Sequence, residues 1–236
     1  DDWTRYHGTT SAKGGEQGGD GGFVEVSGKR NLTFDGDVVT SAAKGRAGML
    51  LLDPGDLYFS ATAVGGATEL TGPLVFQTAN ATNDFYVRSS RFGSASSSYT
   101  LQAHNDFILN TNAAFASTAG RTVRITAGNS IRSNNFSIST AGAALNLTAA
   151  SMALGAVSTG AGALTINVTG VGQSATQSGV FSGGLLTKQG VGILELSQAN
   201  TYTGGTLIQE GSLSAKNAQA LNQGKVTVAN GATLNI

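Results

Sequence analysis

Several absences restrict what this chain of 236 residues can be. It has no cysteine, so disulfides cannot stabilise it, and a secreted chain of this size would need another source of stability, such as a long ladder of backbone hydrogen bonds. Only 12% of its residues are charged and the formal net charge is zero. Nucleic-acid binding, which depends on concentrated Lys and Arg, is therefore disfavoured. The longest apolar run, Met49–Leu52, is too short to span a membrane.

Proline is also scarce, with 2 residues, whereas glycine is abundant, with 34. Chains that are glycine-rich because they are disordered usually carry proline as well, and 40% of the residues here are apolar, which is enough to form a core. Ser, Thr, Asn and Ala replace the missing charges. Small uncharged polar residues suit faces on which like residues stack closely, because stacked charges of one sign would repel.

One stretch near the end of the chain, Leu185–Ser214, shows the organising pattern. Short apolar-polar alternations at Leu185–Lys188, Ile193–Ser197 and Thr206–Gln209 are separated by glycine turns, and another begins at Ser212. Each run is long enough for a strand and too short for a helix. The stretch is therefore predicted to be one coil of a structure that coils repeatedly.

The same kind of strand recurs at intervals of about 20 residues, which is in the range of solenoid repeats. The aligned positions are Leu101, Val123, Leu145, Leu164, Leu186, Leu207 and Val228. Sustained period-two strands with this spacing predict an all-β fold, a parallel β-helix with about 20–22 residues per coil. Inward columns of Val, Leu, Ile and Phe would form its core. Gly and Asn would occupy the corners, and residues 103–106 and 127–130 are predicted to form like corners of adjacent coils.

The beginning of the chain resembles a known family. The segments Gly18–Lys29, Leu32–Gly36, Thr40–Ala43 and Leu50–Pro54 are similar, in order and spacing, to the motif series of filamentous-haemagglutinin-like exoproteins, with Gly48-Met49 as a minor departure. These are large adhesins of two-partner (type V) secretion in Gram-negative bacteria. The resemblance implies a right-handed parallel β-helix, secretion through an outer-membrane transporter, and a role in adhesion.

A second resemblance lies at the other end of the chain. Leu186–Gly190 and Ala199–Thr206 are similar to the autotransporter-associated β-strand repeat, and the likeness extends over about residues 183–236. It implies the same secretion class and a structural role. The chain is thus predicted to be one continuous β-helix over residues 1–236. Its parts are haemagglutinin-like coils (1–60), irregular coils (61–98), regular coils (99–182) and autotransporter-type coils (183–236).

Residues suited to chemistry are few. His7 and His104 are the only histidines, and a solvated or corner-packed role is favoured for His104 over Ser/His/Asp catalysis. Gly18–Gly22 resembles a calcium β-roll motif but occurs once, which favours a plain turn. Four acidic residues could gather at one edge and hold a cation, although a solvated row of turns is favoured: Asp35, Asp37, Asp53 and Asp56. No catalytic, cofactor-binding or metal-binding residue is therefore predicted.

Two surface features remain open at this point. Basic residues concentrate near the first coils and could face an anionic glycan, but acidic residues are interleaved with them, which favours a mixed solvated face; they are Lys13, Lys29, Arg30, Lys44 and Arg46. Asn-x-Ser/Thr sequons occur at Asn31, Asn80, Asn135, Asn146 and Asn167, as chance predicts for this composition.

Three functions are consistent with these patterns. The favoured one is a rigid stalk of a secreted bacterial surface adhesin, presenting a face to a host glycan or receptor. The second is a filament subunit that stacks copies of itself end to end, because neither terminus shows an obvious polar cap; the alternative is that the chain is part of a longer one, which would also carry any signal peptide. The third, a β-helical polysaccharide-active enzyme, is disfavoured because the 14 acidic residues are scattered.

Overall fold

The computed structural model describes residues 3–6, 8–26, 31–34, 37–39, 42–45, 49–52, 56–65, 68–69, 75–76, 85–92 and 98–236. Over these residues the chain is all-β, and its parallel sheets form a β-solenoid of about 6 turns with about 22 residues per coil. The only helical element in these ranges is a 3₁₀ turn, Ser89–Phe92. The predicted all-β fold and parallel β-helix are confirmed.

Ten of the described strands precede residue 90. They are β1 (Trp3–Tyr6), β2 (Thr9–Ser11), β3 (Phe23–Val26), β4 (Asn31–Phe34), β5 (Asp37–Val39), β6 (Met49–Leu52), β7 (Leu57–Ser60), β8 (Thr68–Glu69), β9 (Val75–Phe76) and β10 (Phe85–Arg88). Their pairings with one another are all parallel: β1 with β4, β2 with β5, β6 with both β3 and β9, and β10 with both β7 and β8.

The regular part of the solenoid follows. Its strands are β11 (Tyr99–Ala103), β12 (Asp106–Leu109), β13 (Ala113–Phe115), β14 (Thr122–Ala127), β15 (Ser130–Arg132), β16 (Ile138–Thr140), β17 (Ala144–Ala149), β18 (Ser151–Leu154), β19 (Val157–Ser158), β20 (Leu164–Val168), β21 (Ser174–Gln177), β22 (Phe181–Ser182), β23 (Leu186–Gln189), β24 (Ile193–Leu196), β25 (Thr206–Ile208), β26 (Ser212–Ala215), β27 (Val226–Val228) and β28 (Thr233–Asn235).

Three sheets form the sides of this part. A seven-stranded sheet has the order β11-β14-β17-β20-β23-β25-β27, and a four-stranded sheet has the order β13-β16-β19-β22. The third is ten-stranded, with the order β28-β26-β24-β21-β18-β15-β12-β7-β10-β8. In this sheet β7 lies between β12 and β10, so strand order departs from chain order where the regular coils begin. The four-stranded sheet ends at β22, and beyond it a loop takes the place of the third strand of each coil.

Burial along the strands alternates as the sequence pattern predicts. In β17 every second residue is buried, and Leu145, Leu147 and Ala149 are fully inaccessible. Successive strands place such residues one above another, as Val123, Leu145, Leu164 and Leu186 do. Each fully buried aliphatic side chain contributes about 1.5–3 kcal/mol. These columns therefore supply the main stabilisation of the rod.

The predicted register is confirmed from Val123 to Leu186 and wrong at three places, the last of which is Leu207, because it pairs with Thr227 rather than with Val228. Leu101 pairs with Ile125 rather than with Val123, a shift of two residues that leaves it on the inward face. Leu186 pairs with Thr206, whereas Leu207 was predicted, and this shift of one residue turns Leu207 outward. Thr206 lies inside because the buried Tyr202 hydroxyl lies 2.8 Å from its Oγ1.

The predicted like corners at residues 103–106 and 127–130 are confirmed, because Ala103 pairs with Ala127 and Asp106 with Ser130. The reason for glycine there differs from the predicted one. Gly128 has no positive φ. It is required because a Cβ at this position would lie 2.0 Å from the His104 carbonyl oxygen of the coil before.

Candidate functional site

The segment from Leu186 to Ala215 contains β23–β26 and is the stretch that the sequence analysis started from. It was predicted to be one coil, which is wrong, because β23 pairs with β25 and β24 with β26, so the segment belongs to two successive coils. Its side facing the core contains Leu186, Leu194 and Leu196, all fully inaccessible to solvent. The loop between β24 and β25 replaces a third strand, so its backbone needs partners other than a full ladder. The polar residues of this segment supply some of them.

Lys188 is the most unusual of these polar residues. In β23 it lies on the inward column, between Ile166 and Ile208, and its side chain is completely buried. Its Nζ donates hydrogen bonds to the carbonyl oxygens of Gln189 and Gly190, each at 2.6 Å, and to that of Glu210 in the next coil at 3.1 Å. The three donors of an ammonium group thus meet three carbonyls that turn inward at one corner.

Burial lowers the pKa of Lys188 from 10.5 to about 8, because removal from water penalises the charged form. The negative charge of Glu210 acts in the opposite direction and raises the pKa. Lys188 is therefore still charged at neutral pH, although burying the charge costs free energy. Its ammonium group satisfies three backbone acceptors and joins two coils.

Asn200 joins three successive coils. Its Oδ1 accepts a hydrogen bond from the backbone nitrogen of Phe181 at 2.8 Å, in the coil before, and also from Nε2 of Gln177. Its Nδ2 donates to the carbonyl oxygen of Ala220 at 2.8 Å, in the coil after. The Gln177 Oε1 accepts from the backbone nitrogen of Ser197 at 3.1 Å. Both amides are buried, so they act as cross-links within the core rather than as surface groups.

Tyr202 completes this arrangement. Besides contacting Thr206, its hydroxyl donates to the Ala220 carbonyl at 3.3 Å, and its own carbonyl accepts from Asn222 Nδ2 at 2.7 Å. Burial raises the pKa of Tyr202, while the hydrogen bond to Thr206 acts to lower it. Gly205 closes the loop with a φ of +80°, and a Cβ there would lie 2.5 Å from the Lys225 carbonyl oxygen. The loop thus accepts only glycine at this position without rearrangement.

A second site, which we call the corner groove, lies at the stacked corners that join β11 to β12 and β14 to β15. Its volume is about 460 Å³, and it is lined by Gln102, Ala103, His104, Asn105, Thr126, Gly128 and Asn129. Gln102 and Thr126 pair across neighbouring strands of the seven-stranded sheet. The remaining residues belong to the two stacked corners. The groove therefore presents amide, hydroxyl and imidazole groups and no acidic side chain.

His104 lies in this groove and is partly exposed at its corner, the position that the sequence predicted for it. Next to it, Asp106 is buried, which the sequence did not reveal. Its carboxylate accepts hydrogen bonds from the Ser130 backbone nitrogen at 3.0 Å, from Ser130 Oγ at 2.7 Å and from Asn129 Nδ2 at 2.9 Å, and it pairs with Arg132. Each acceptor oxygen is occupied, so Asp106 holds the corner together.

Only some of the remaining predicted positions lie in the part of the chain that the structure describes. Gly18 and Gly19 have positive φ, and Gly18 donates to the Gly15 carbonyl, so the chain turns here as predicted, while the preference for a plain turn over a calcium site stays a prediction. Asp56 accepts a hydrogen bond from the Asp106 backbone nitrogen at 3.1 Å. Within the described ranges, no group of three or more His, Asp or Glu side chains could hold a metal ion. Several residues lie outside the described part: His7, Lys29, Arg30, Asp35, Arg46, Asp53 and Asn80. The side chains of Asn31 and Asp37 are likewise not described.

The predicted sequons and surface lysines that the structure describes do not line the groove. Asn135 lies in an exposed turn with a φ of +66°, whereas Asn146 and Asn167 lie on strands of the seven-stranded sheet. Lys13 and Lys44 are both exposed, so the predicted solvated face remains consistent for these two.

The described part of the chain is a parallel β-solenoid. Comparison with known proteins adds one match, to a repeat family. Residues 186–215 match a family model described as the passenger-associated-transport-repeat, and this range contains Lys188, Asn200 and Tyr202. No curated protein and no solved structure matches the chain. The repeat and the solenoid together fit an autotransporter passenger domain. The haemagglutinin-like resemblance of residues 1–60 stays a prediction.

Across the described residues, we find no helix with the length and hydrophobicity that crossing a bilayer requires.

Proposed function

We propose that this chain is a segment of the passenger of a secreted bacterial surface protein. It is exported through an outer-membrane translocator and acts at the cell surface as a rigid stalk that presents a face for adhesion. The matched transport repeat and the parallel solenoid support the passenger role. The haemagglutinin-like motifs of residues 1–60 support the adhesive role.

The observation that carries this proposal is the use of polar residues in the matched repeat. Lys188, Asn200 and Tyr202 are all buried, and each contributes hydrogen bonds to a neighbouring coil. A buried polar group must be satisfied, and here the satisfying partners are backbone groups of adjacent coils. This segment therefore serves to keep the rod in shape, and contact with a partner falls to the outward faces of the solenoid.

The experiment has two parts. In the producing bacterium, intact cells are treated with trypsin and the chain is followed by immunoblotting; we expect it to be degraded while a cytoplasmic marker survives. Beads coated with the purified chain are then applied to epithelial cells, and we expect retention above albumin-coated beads. A chain that stays protected in intact cells refutes export, and bead retention no higher than that of albumin refutes adhesion.

The other functions considered from the sequence stay predictions. End-to-end assembly is tested by electron microscopy of the purified chain across a range of concentrations, where only monodisperse short rods would count against it.

We propose that the segment acts without catalysis, because its described carboxylates do not gather at one place. Release of reducing ends from a panel of polysaccharides would contradict that.

A further inference from the structure

The regular coils have an uneven charge distribution although the whole chain is neutral. Between Ser98 and Leu194 the only acidic residue is Asp106, whereas the basic residues are Arg121, Arg124, Arg132 and Lys188. Arg132 pairs with Asp106, and Lys188 is buried against carbonyl oxygens. Two exposed guanidinium groups remain, those of Arg121 and Arg124, and neither forms a salt bridge with any described residue.

Arg124 occupies the middle of a polar face. It lies on β14 and points outward from the seven-stranded sheet, and its partners on the neighbouring strands are Thr100 and Asn146. With the Asn146 amide oriented to accept, its oxygen lies 2.8 Å from Arg124 Nη1. The guanidinium group is thus held on the sheet by a neutral partner, and most of its donors stay available.

The corner groove begins beside this guanidinium group. Thr126 lines the groove and is two residues from Arg124 on the same outward face, a separation of about 7 Å along a strand. Gln102, across from Thr126, and the corner residues Asn105 and Asn129 continue the polar lining. A cation therefore lies at the end of a groove of neutral groups that can both donate and accept hydrogen bonds.

We infer that Arg124 and the corner groove bind a carboxylated oligosaccharide. The carboxylate of an acidic sugar meets Arg124 in a charge-assisted pair, for which the planar guanidinium group is suited. The hydroxyl groups of the adjoining sugars contact Gln102, Thr126 and Asn129, whose amide and hydroxyl groups match them as donors and acceptors. Successive rungs are about 4.8 Å apart, similar to the length of one sugar unit in a chain laid along the rod.

Two other classes of macromolecule fit this surface less well. A nucleic acid requires several cations along its backbone, and this face has one. A folded protein partner usually needs an apolar centre, which the lining of the groove does not supply. The inference rests on the adhesive role proposed above and adds to it the class of ligand and the site.

The test measures binding of oligogalacturonate of defined length, a carboxylated and unsulfated chain, by isothermal titration calorimetry at low salt. We expect saturable binding that Arg124→Ala weakens at least about tenfold, as expected for loss of one charge-assisted pair. Arg121→Ala is the matched control, because it removes an exposed arginine of the same coil outside the groove, and it should leave the affinity within about twofold. Gln102→Val, which keeps a strand-forming residue, should also weaken binding. Circular dichroism checks that each variant is folded.

Several outcomes would overturn the inference. They are no binding of oligogalacturonate by the folded wild type, equal losses for Arg121→Ala and Arg124→Ala, equal affinity for a neutral glucan of the same length, and tighter binding of single-stranded DNA. The bead assay separates this inference from the proposed function. If Arg124→Ala beads bind cells as well as wild-type beads do, adhesion stands and this site is wrong. If neither bead binds cells but oligogalacturonate binding depends on Arg124, the site stands and adhesion is wrong.

Discussion

Lys188→Met is the most informative single substitution, because methionine keeps the unbranched shape and removes the ammonium group. The change leaves the carbonyl oxygens of Gln189, Gly190 and Glu210 without their donor. Each unsatisfied buried acceptor costs about 1–3 kcal/mol. Relief of the cost of burying a charge, worth about 3 kcal/mol for a pKa lowered to about 8, offsets part of this loss. Three acceptors at this cost lose about 3–9 kcal/mol before the offset, so we expect the variant to be less stable at pH 7 by up to about 6 kcal/mol.

The pH dependence gives this prediction a sign. The pKa of Lys188 is about 8 in the folded state and 10.5 in the unfolded state. Between these values the unfolded chain binds more protons than the folded one, so the free energy of unfolding contributed by this group rises with pH. Below pH 8 and above 10.5 the contribution is constant. The difference in stability between the wild type and Lys188→Met should therefore widen by up to about 3 kcal/mol over this window.

Guanidinium unfolding followed by circular dichroism at pH 7, 8, 9 and 10 measures this difference. Taking the difference between the two proteins cancels the titration of Tyr202 and other groups that both share. Lys216→Met, which changes an exposed lysine of the following turn, is the control and should shift stability by less than about 0.5 kcal/mol at every pH. A gap that stays constant or narrows from pH 8 to 10 would show that the pKa of Lys188 is not lowered, and the argument from burial would be wrong.

Two further predictions concern the loop between β24 and β25, and the same unfolding measurement checks both. Asn200→Ala should destabilise the protein by about 3 kcal/mol, because it leaves buried backbone groups of two other coils unpaired. The control Thr201→Ala, at the exposed neighbouring position, should cost less than about 1 kcal/mol. Equal losses of stability in the two variants would contradict the cross-link. Gly205→Ala should cost clearly more than Gly231→Ala. The two glycines have nearly the same φ, +80° and +81°, but a Cβ at Gly205 would meet a backbone oxygen within 4 Å and a Cβ at Gly231 would not. If both alanine variants lose the same stability, about 1 kcal/mol, then backbone strain alone, and not the close contact, explains the glycine at position 205.

The coil architecture was predictable because its signal is local. In a strand, successive side chains point to opposite faces, so alternation in a segment such as Ala144–Ala149 predicts both a strand and its buried side. Repetition of that pattern at a steady spacing then predicts stacking. Of the candidate sites, the turn at Gly18 and the corner position of His104 followed from the same local reasoning.

The buried polar residues of the repeat segment were not predicted. Hydrophobicity alone places a lysine outside, yet the alternation from Leu186 through Thr187 places Lys188 inside, and that parity is the signal that could have found it. Asn200 gave no comparable signal, because its role depends on Phe181 and Ala220, which lie about 20 residues away on either side. The corner groove likewise exists only once residues 102–105 and 126–129 are stacked.

The sequence by itself determined the repeating strand, the approximate length of a coil and the all-β class, because side-chain alternation and glycine turns act over a few residues. Only the tertiary structure decided the register, in which Thr206 rather than Leu207 enters the core, and the placement of a guanidinium group beside a neutral groove. Register depends on which corner shortens or lengthens a coil, and the energies that decide it come from contacts between coils. In a solenoid, neighbours in space are one coil apart in sequence, so these contacts lie beyond the reach of any local pattern.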